Sequence, residues 1–331
     1  MSTDVVTDRA ADRPADRGPG PAVPIDRSAL TAVHRTVLDW YQANARDLPW
    51  RRPGTTAWAV LVSEVMLQQT PVSRVEPAWR AWMDRWPAPA DLAAAPAAEV
   101  LRAWDRLGYP RRALRLQECA RAVVDRHGGV VPDTEDALLA LPGIGAYTAA
   151  AVAAFTYGRR AVVLDTNVRR VLGRALEGRA LPAPALGRAE RERAAGYVPE
   201  DRETSVRWNV GVMELGALVC TARSPRCERC PLQTRCAWVR AGRPADAHAA
   251  TRRRQAWHGT DRQVRGRIMA ALRDAPDGWT AESALLQAGA DGADPAALPD
   301  PRQPARALAS LVADGLAVRG DDGHPSRYRL P

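Results

Sequence analysis

Apolar residues recur at three- and four-residue spacing through most of the chain, and the pattern predicts helices with no convincing strand before the C-terminal region. Leu30, Val33, Val37 and Tyr41 keep that spacing behind Ser28, which can cap the first helix. Residues 57–71, AWAVLVSEVMLQQTP, differ: Val60, Leu61, Val62, Val65, Met66 and Leu67 point all round a helix. A helix apolar on every face is a buried one, and this run is too short to span a bilayer. Residues 72–86 carry Trp79, Trp82 and Trp86 on one stripe, read as core. Helical patterns continue over 99–107 and 113–127. Two more, 134–140 and 146–155, flank the turn Leu141-Pro142-Gly143-Ile144-Gly145. Helices over 166–176 and 206–218 follow, joined by a charged, Pro-containing connection at 181–195.

The pattern changes at both ends. Residues 1–27 repeat Asp-Arg pairs with Pro and Gly, cannot bury a core, and read as a disordered tail. The helical core covers 28–218, a cysteine-bearing loop 219–240, and a Pro/Ala linker 241–259. Residues 260–331 have their own pattern. Arg262 opens a helix, Thr280 a second, and Leu308, Leu311 and Val312 mark a third. Residues 317–319 and 327–329 can pair across an Asp-Asp-Gly turn. Three helices plus a basic hairpin resemble a small winged-helix domain of α+β type. The expected fold class is mainly α.

Charge narrows the partners. The 331 residues carry a net charge of +9, which favours polyanions. The sequence contains no lysine, so all 47 basic residues are arginine. Phosphate contacts must then come from arginine or backbone, and no lysine amine exists to form a Schiff base. Five cysteines, four bunched late, suit a metal site in a reducing compartment better than a disulfide framework. No signal-peptide core or transmembrane run is present, so the expected place is the bacterial cytoplasm, with no membrane partner.

Glu64 stands in the middle of the apolar run, where lost hydration raises a carboxyl pKa. A Glu held partly protonated near neutrality suits general acid catalysis; the alternative is a Glu at a helix edge or paired with a core arginine. Arg46, Trp50, Arg51 and Arg52 form an arginine–aromatic loop that can stack on a base or pack under a basic surface. The glycine turn with Leu141, Gly143 and Gly145 gives a helical hairpin whose second helix opens with free N–H groups for a phosphate. Asp165 meets a helix start, either as its cap or as a carboxylate at a pocket rim. Cys220, Cys227, Cys230 and Cys236 leave gaps of six, two and five residues, open to zinc or to a [4Fe-4S] cluster.

The order SEVMLQQT, LPGIG, LDTN and C-x6-C-x2-C-x5-C closely resembles the helix-hairpin-helix DNA glycosylases, and within them the adenine-excising branch. The resemblance covers about residues 30–238. It implies two helical subdomains with a DNA cleft between them, followed by a [4Fe-4S] loop. It implies Glu64 as the acid that protonates adenine and Asp165 as the carboxylate that stabilises the oxocarbenium-like sugar. Tyr147 and Asn167 support them; Arg46, Trp50, Arg51, Leu67 and Glu214 match the adenine pocket. Gln69, Thr70 and Tyr109 match residues that enter the duplex near the opposing base. The implied partner is double-stranded DNA with adenine opposite 8-oxoguanine or guanine, met by a monomer. Relatives resembling endonuclease III place a lysine where this chain has Tyr147, so a monofunctional enzyme is expected. Many family members also carry a NUDIX-like C-terminal domain that reads 8-oxoguanine; the residues after Trp238 are wrongly patterned for it. The alternatives are a thymine or uracil glycosylase acting opposite guanine, and a non-enzymatic iron–sulfur DNA-binding protein.

Overall fold

The computed structural model describes residues 26–252, 259–275, 278–291, 300–320 and 326–331. The expectation of a disordered tail falls on residues 1–25, outside the described ones, except that Arg27 already belongs to α1 (Arg27–Asn44). Asp26, not Ser28, caps that helix, accepting the Ala29 N–H at 3.3 Å. The buried run becomes α2 (Ala57–Leu67), capped by Thr56 and buried from Trp58 through Met66. α3 (Val72–Arg85), α4 (Pro89–Ala94), α5 (Ala97–Trp104) and α6 (Arg111–His127) complete its surroundings. The tryptophan stripe is core: Trp82 meets Trp86 and Trp104 edge-on at 4.8 and 5.4 Å. Two of its indole N–H groups find carbonyls, Trp79 donating to that of Ala59 at 2.8 Å and Trp82 to that of Ala103 at 3.0 Å.

α7 (Glu135–Leu139) and α8 (Ala146–Tyr157) form the hairpin. Gly143 has φ +74°, and a Cβ there would meet Arg115 Cβ at 3.0 Å, so the turn requires glycine on two counts. Leu141 and Ile144 bury their side chains beneath it. α8 is alanine-rich and packs closely on α2.

The second lobe gathers α9 (Thr166–Ala175), α10 (Arg188–Tyr197) and α11 (Arg202–Leu218), and the chain's first helix returns to it. Val33, Val37, Val168, Val171, Trp208, Val212 and Leu215 make its core. Two expectations change here. α10 occupies much of the stretch read as a connection; only its Ala194 is buried, so it carries little apolar period. α11 starts earlier than its apolar run, capped by Asp201, which accepts the Thr204 N–H at 2.8 Å. The cysteine loop ends in α12 (Ala237–Arg240).

The tail runs α13 (Asp261–Arg273), β1 (Thr280–Ala281), α14 (Glu282–Ala290), α15 (Gln303–Ala313), β2 (Val318–Arg319) and β3 (Arg327–Arg329). The expected hairpin pairs Val318 with Arg329 and Arg319 with Tyr328. Thr280 starts a strand rather than a helix, giving an antiparallel sheet of order β1-β3-β2. This succession of helices and strands is that of a winged helix. The Asp-Asp-Gly turn lies outside the described residues. No helix among the described residues is long and apolar enough to cross a membrane.

Candidate active site

A cleft of about 1110 Å³ opens between the lobes, lined by α2, the arginine–aromatic loop, the glycine turn, the start of α9 and one face of α11. It brings together Glu64, Tyr147, Asp165 and Asn167 with Arg46, Trp50, Arg51, Leu67, Gln69, Thr70, Gly143 and Gly145.

Glu64 is 4% exposed. Burial pushes its carboxyl up to about 7, against the Tyr147 hydrogen bond and the Arg51 charge, which pull it down. The Tyr147 hydroxyl donates to Glu64 Oε2 at 2.8 Å. Glu64 is therefore near half-protonated at neutrality, the condition a general acid needs.

Asp165 is both of the things its sequence position allowed. Oδ1 accepts the Val168 N–H at 2.6 Å and caps α9, while Oδ2 accepts from Asn167 Nδ2 at 2.6 Å. Burial raises its pKa; the two hydrogen bonds and the Arg170 charge restrain that rise.

Glu214 is fully buried and held by two arginines. Arg46 donates from Nε at 2.7 Å, Nη2 at 2.8 Å and its backbone N–H at 3.1 Å, and Arg51 adds Nη1 at 3.0 Å. Burial alone would raise the Glu214 carboxyl, but these contacts outweigh it and hold it below its ordinary value. Trp50 packs as a buried residue, edge-on against Trp79 at 5.7 Å, and also lines the cleft.

The residues expected to enter the duplex divide. Gln69 is exposed at φ +57°, and Tyr109 is half-buried at φ +48°. Thr70 is buried, its hydroxyl donating to the Leu107 carbonyl at 3.1 Å. Leu141 is buried as well, so its side chain anchors the hairpin and only its backbone remains for a phosphate.

Sequence reasoning missed two residues behind Asp165. Arg170 donates to Asn167 Oδ1 at 2.8 Å, to the Gly216 carbonyl at 2.7 Å and to the Cys220 carbonyl at 2.6 Å. Gly216 lets α11 close on α9: a Cβ there would sit 2.7 Å from Asn167 Cβ. The only local signal was the placement of Arg170 one turn beyond Asn167.

Cys220, Cys227, Cys230 and Cys236 line one small cavity with Arg174 and Trp238. Arg174 Nη1 donates to Cys220 Sγ at 3.5 Å. Burial pushes the Cys230 thiol up to about 11, a penalty removed when a metal centre displaces the protons. Four thiols lining one cavity suit an iron–sulfur cluster, which these residues would hold.

Comparison with known proteins agrees. Residues 62–193 match the model of the HhH-GPD superfamily base excision DNA repair proteins, and residues 220–236 that of the iron–sulfur binding domain of endonuclease III. The adenine DNA glycosylase of Mycolicibacterium smegmatis is 54% identical over 287 residues, covering 87% of this chain and 93% of the relative. That of Mycobacterium tuberculosis is 51% identical over 296 residues, covering 89% and 92%. Among solved structures, a thermostable thymine-DNA glycosylase superposes with a TM-score of 0.58 at 29% identity, covering 65% of this chain and 98% of its own. Alignment at that identity over nearly the whole of both chains means that this chain belongs to the adenine DNA glycosylase family.

Proposed function

We propose that the chain is a monofunctional DNA glycosylase that hydrolyses the N-glycosidic bond of adenine mispaired with 8-oxoguanine or guanine, acting as a monomer. The observation that carries this is the pairing of a buried, half-protonated Glu64 with the helix-capping Asp165 in one cleft. Adenine inside a duplex is out of reach, so it must be flipped out at a cost of a few kcal/mol. Gln69 and Tyr109 offset this by filling the gap. Arg46, Trp50, Arg51 and Leu67 receive the base, with Glu214 fixing both arginines. Glu64 protonates the departing adenine, Asp165 stabilises the cationic sugar, and water completes the hydrolysis. Tyr147 orients the acid, and Asn167 orients the carboxylate. With no lysine in the chain, the route through a lysine Schiff base is closed and the product strand stays intact.

A duplex panel tests this. Adenine is released opposite 8-oxoguanine and guanine, while thymine and uracil opposite guanine stay in place. Release of thymine or uracil in preference to adenine would overturn the substrate, and a strand nicked by pure protein without alkali or heat would overturn the monofunctional assignment.

A further inference from the structure

Among the described residues, only four other than glycine have positive φ, and Gln69 and Tyr109 are two of them. That backbone is costly for residues with side chains and persists where the surroundings hold it. One side chain joins the two loops that contain them. Arg112, in the first turn of α6, donates from Nη1 to the carbonyls of Val65 at 2.8 Å, Met66 at 3.2 Å and Gln68 at 2.6 Å. Nη2 donates to Thr70 Oγ1 at 3.1 Å and to the carbonyls of Leu107 at 3.1 Å and Gly108 at 3.0 Å. Val65 and Met66 present the last carbonyls of α2, which have no partner within the helix. The guanidinium also lies 5.1 Å from the Trp104 ring centre and 5.6 Å from that of Tyr109. The Thr70 hydroxyl, bonded to the Leu107 carbonyl, closes the same junction. From the tail, Arg262 adds a second cation 4.2 Å from the Tyr109 ring.

We propose that Arg112 is a positioning residue for duplex opening, its guanidinium locking residues 68–70 and 107–109 into one wedge that presents Gln69 and Tyr109 to the DNA. This rests on the reading that these two side chains enter the duplex. A lysine cannot substitute, because its ammonium donates from a single atom and cannot span both loops as the planar fork does.

Arg112→Lys in the holoprotein tests it. The probe is a duplex with 2-aminopurine in the adenine position opposite 8-oxoguanine, which brightens on unstacking, read at saturating protein before any excision. The variant loses most of the wild-type rise. Adenine release opposite 8-oxoguanine falls by more than about tenfold, while release opposite an abasic analogue, where no pair needs opening, falls by less than about threefold. Equal losses on both duplexes overturn the proposal, as does an undiminished fluorescence rise or no rise with the wild-type chain. A chain that brightens the probe yet releases no adenine refutes the glycosylase reading and still judges Arg112. If circular dichroism or cluster absorbance shows Arg112→Lys misfolded, Thr70→Val loosens the same junction and is judged by the same two readouts.

Discussion

Replacing Glu64 with Gln removes the acid while keeping its shape, and the structure dictates two opposite consequences. The amide oxygen can still accept the Tyr147 hydroxyl, now 2.8 Å from Oε2, so the cleft stays assembled. Gln has no proton to give, and single-turnover release of adenine falls by about 10²–10⁴-fold. Stability moves the other way. The folded carboxyl titrates at about 7 against an ordinary 4.5, chiefly because it is buried. A raised folded pKa means that the fold prefers the protonated form. The contribution is therefore complete below 4.5 and is lost as pH rises towards and through 7. At about 1.36 kcal/mol per pKa unit, the ionised carboxylate costs the fold about 3 kcal/mol above that window. Gln carries no such penalty. In urea unfolding followed by tryptophan fluorescence, Glu64→Gln is more stable than wild type. The difference widens by about 2 kcal/mol between about pH 5.5 and about pH 8.5. A difference independent of pH would refute the buried-acid argument, and undiminished adenine release would refute the catalytic one.

Three further substitutions probe the same constellation. Tyr147→Phe removes a hydrogen bond that lowers the Glu64 pKa, so the alkaline limb of the single-turnover pH profile moves upward; a downward move contradicts the assignment. Asp165→Asn keeps the helix cap, since Asn caps as well as Asp, but removes the charge facing the sugar. The protein melts within a few degrees of wild type while excision falls by at least about 10²-fold, and a retained rate counts against Asp165. Gly216→Ala drives a methyl group to 2.7 Å from Asn167 Cβ. Overpacking of this kind costs about 1–3 kcal/mol, seen as a lower melting temperature and slower excision with the Glu64 limb unmoved.

What was legible in the sequence was local. The apolar circumference of α2, the glycine turn, the cap at Asp165 and the cysteine spacing each fit within a few residues, and each sits where its pattern placed it. What was not legible depends on distant partners. Arg112 cannot be told from Arg111 in the sequence, yet Arg111 makes a surface pair with Asp314 at 3.1 Å while Arg112 joins two loops. β1 is too short for a period and exists only because β3 pairs with it. α10 is held by polar contacts such as Arg169 with Glu190 at 2.7 Å, which leave no apolar stripe to read.

The protonation of Glu64 and Asp165 follows from where each stands on its helix. In mid-helix the backbone N–H groups are already used, so Glu64 finds the Tyr147 hydroxyl and little else, and burial dominates. At a helix start the N–H groups are free, so Asp165 receives the Val168 N–H, with the Asn167 side-chain amide beside it; burial still raises its pKa, and these contacts restrain the rise. Arg51 could upset this division, because its charge reaches Glu64 and favours ionisation. Its hydrogen bond goes instead to Glu214, at 3.0 Å. Glu214 thus shields Glu64 by engaging the arginine whose charge reaches it. Glu214→Gln withdraws that counter-charge, so the Arg51 field acts more fully on Glu64 and lowers its pKa. The alkaline limb of excision then moves below about 7, the value set by the intact site. Loss of one partner from this buried pairing also destabilises the fold by about 3 kcal/mol. A Glu214→Gln variant that loses stability with the limb unmoved would show that Glu214 supports only the architecture and leaves the acid untouched.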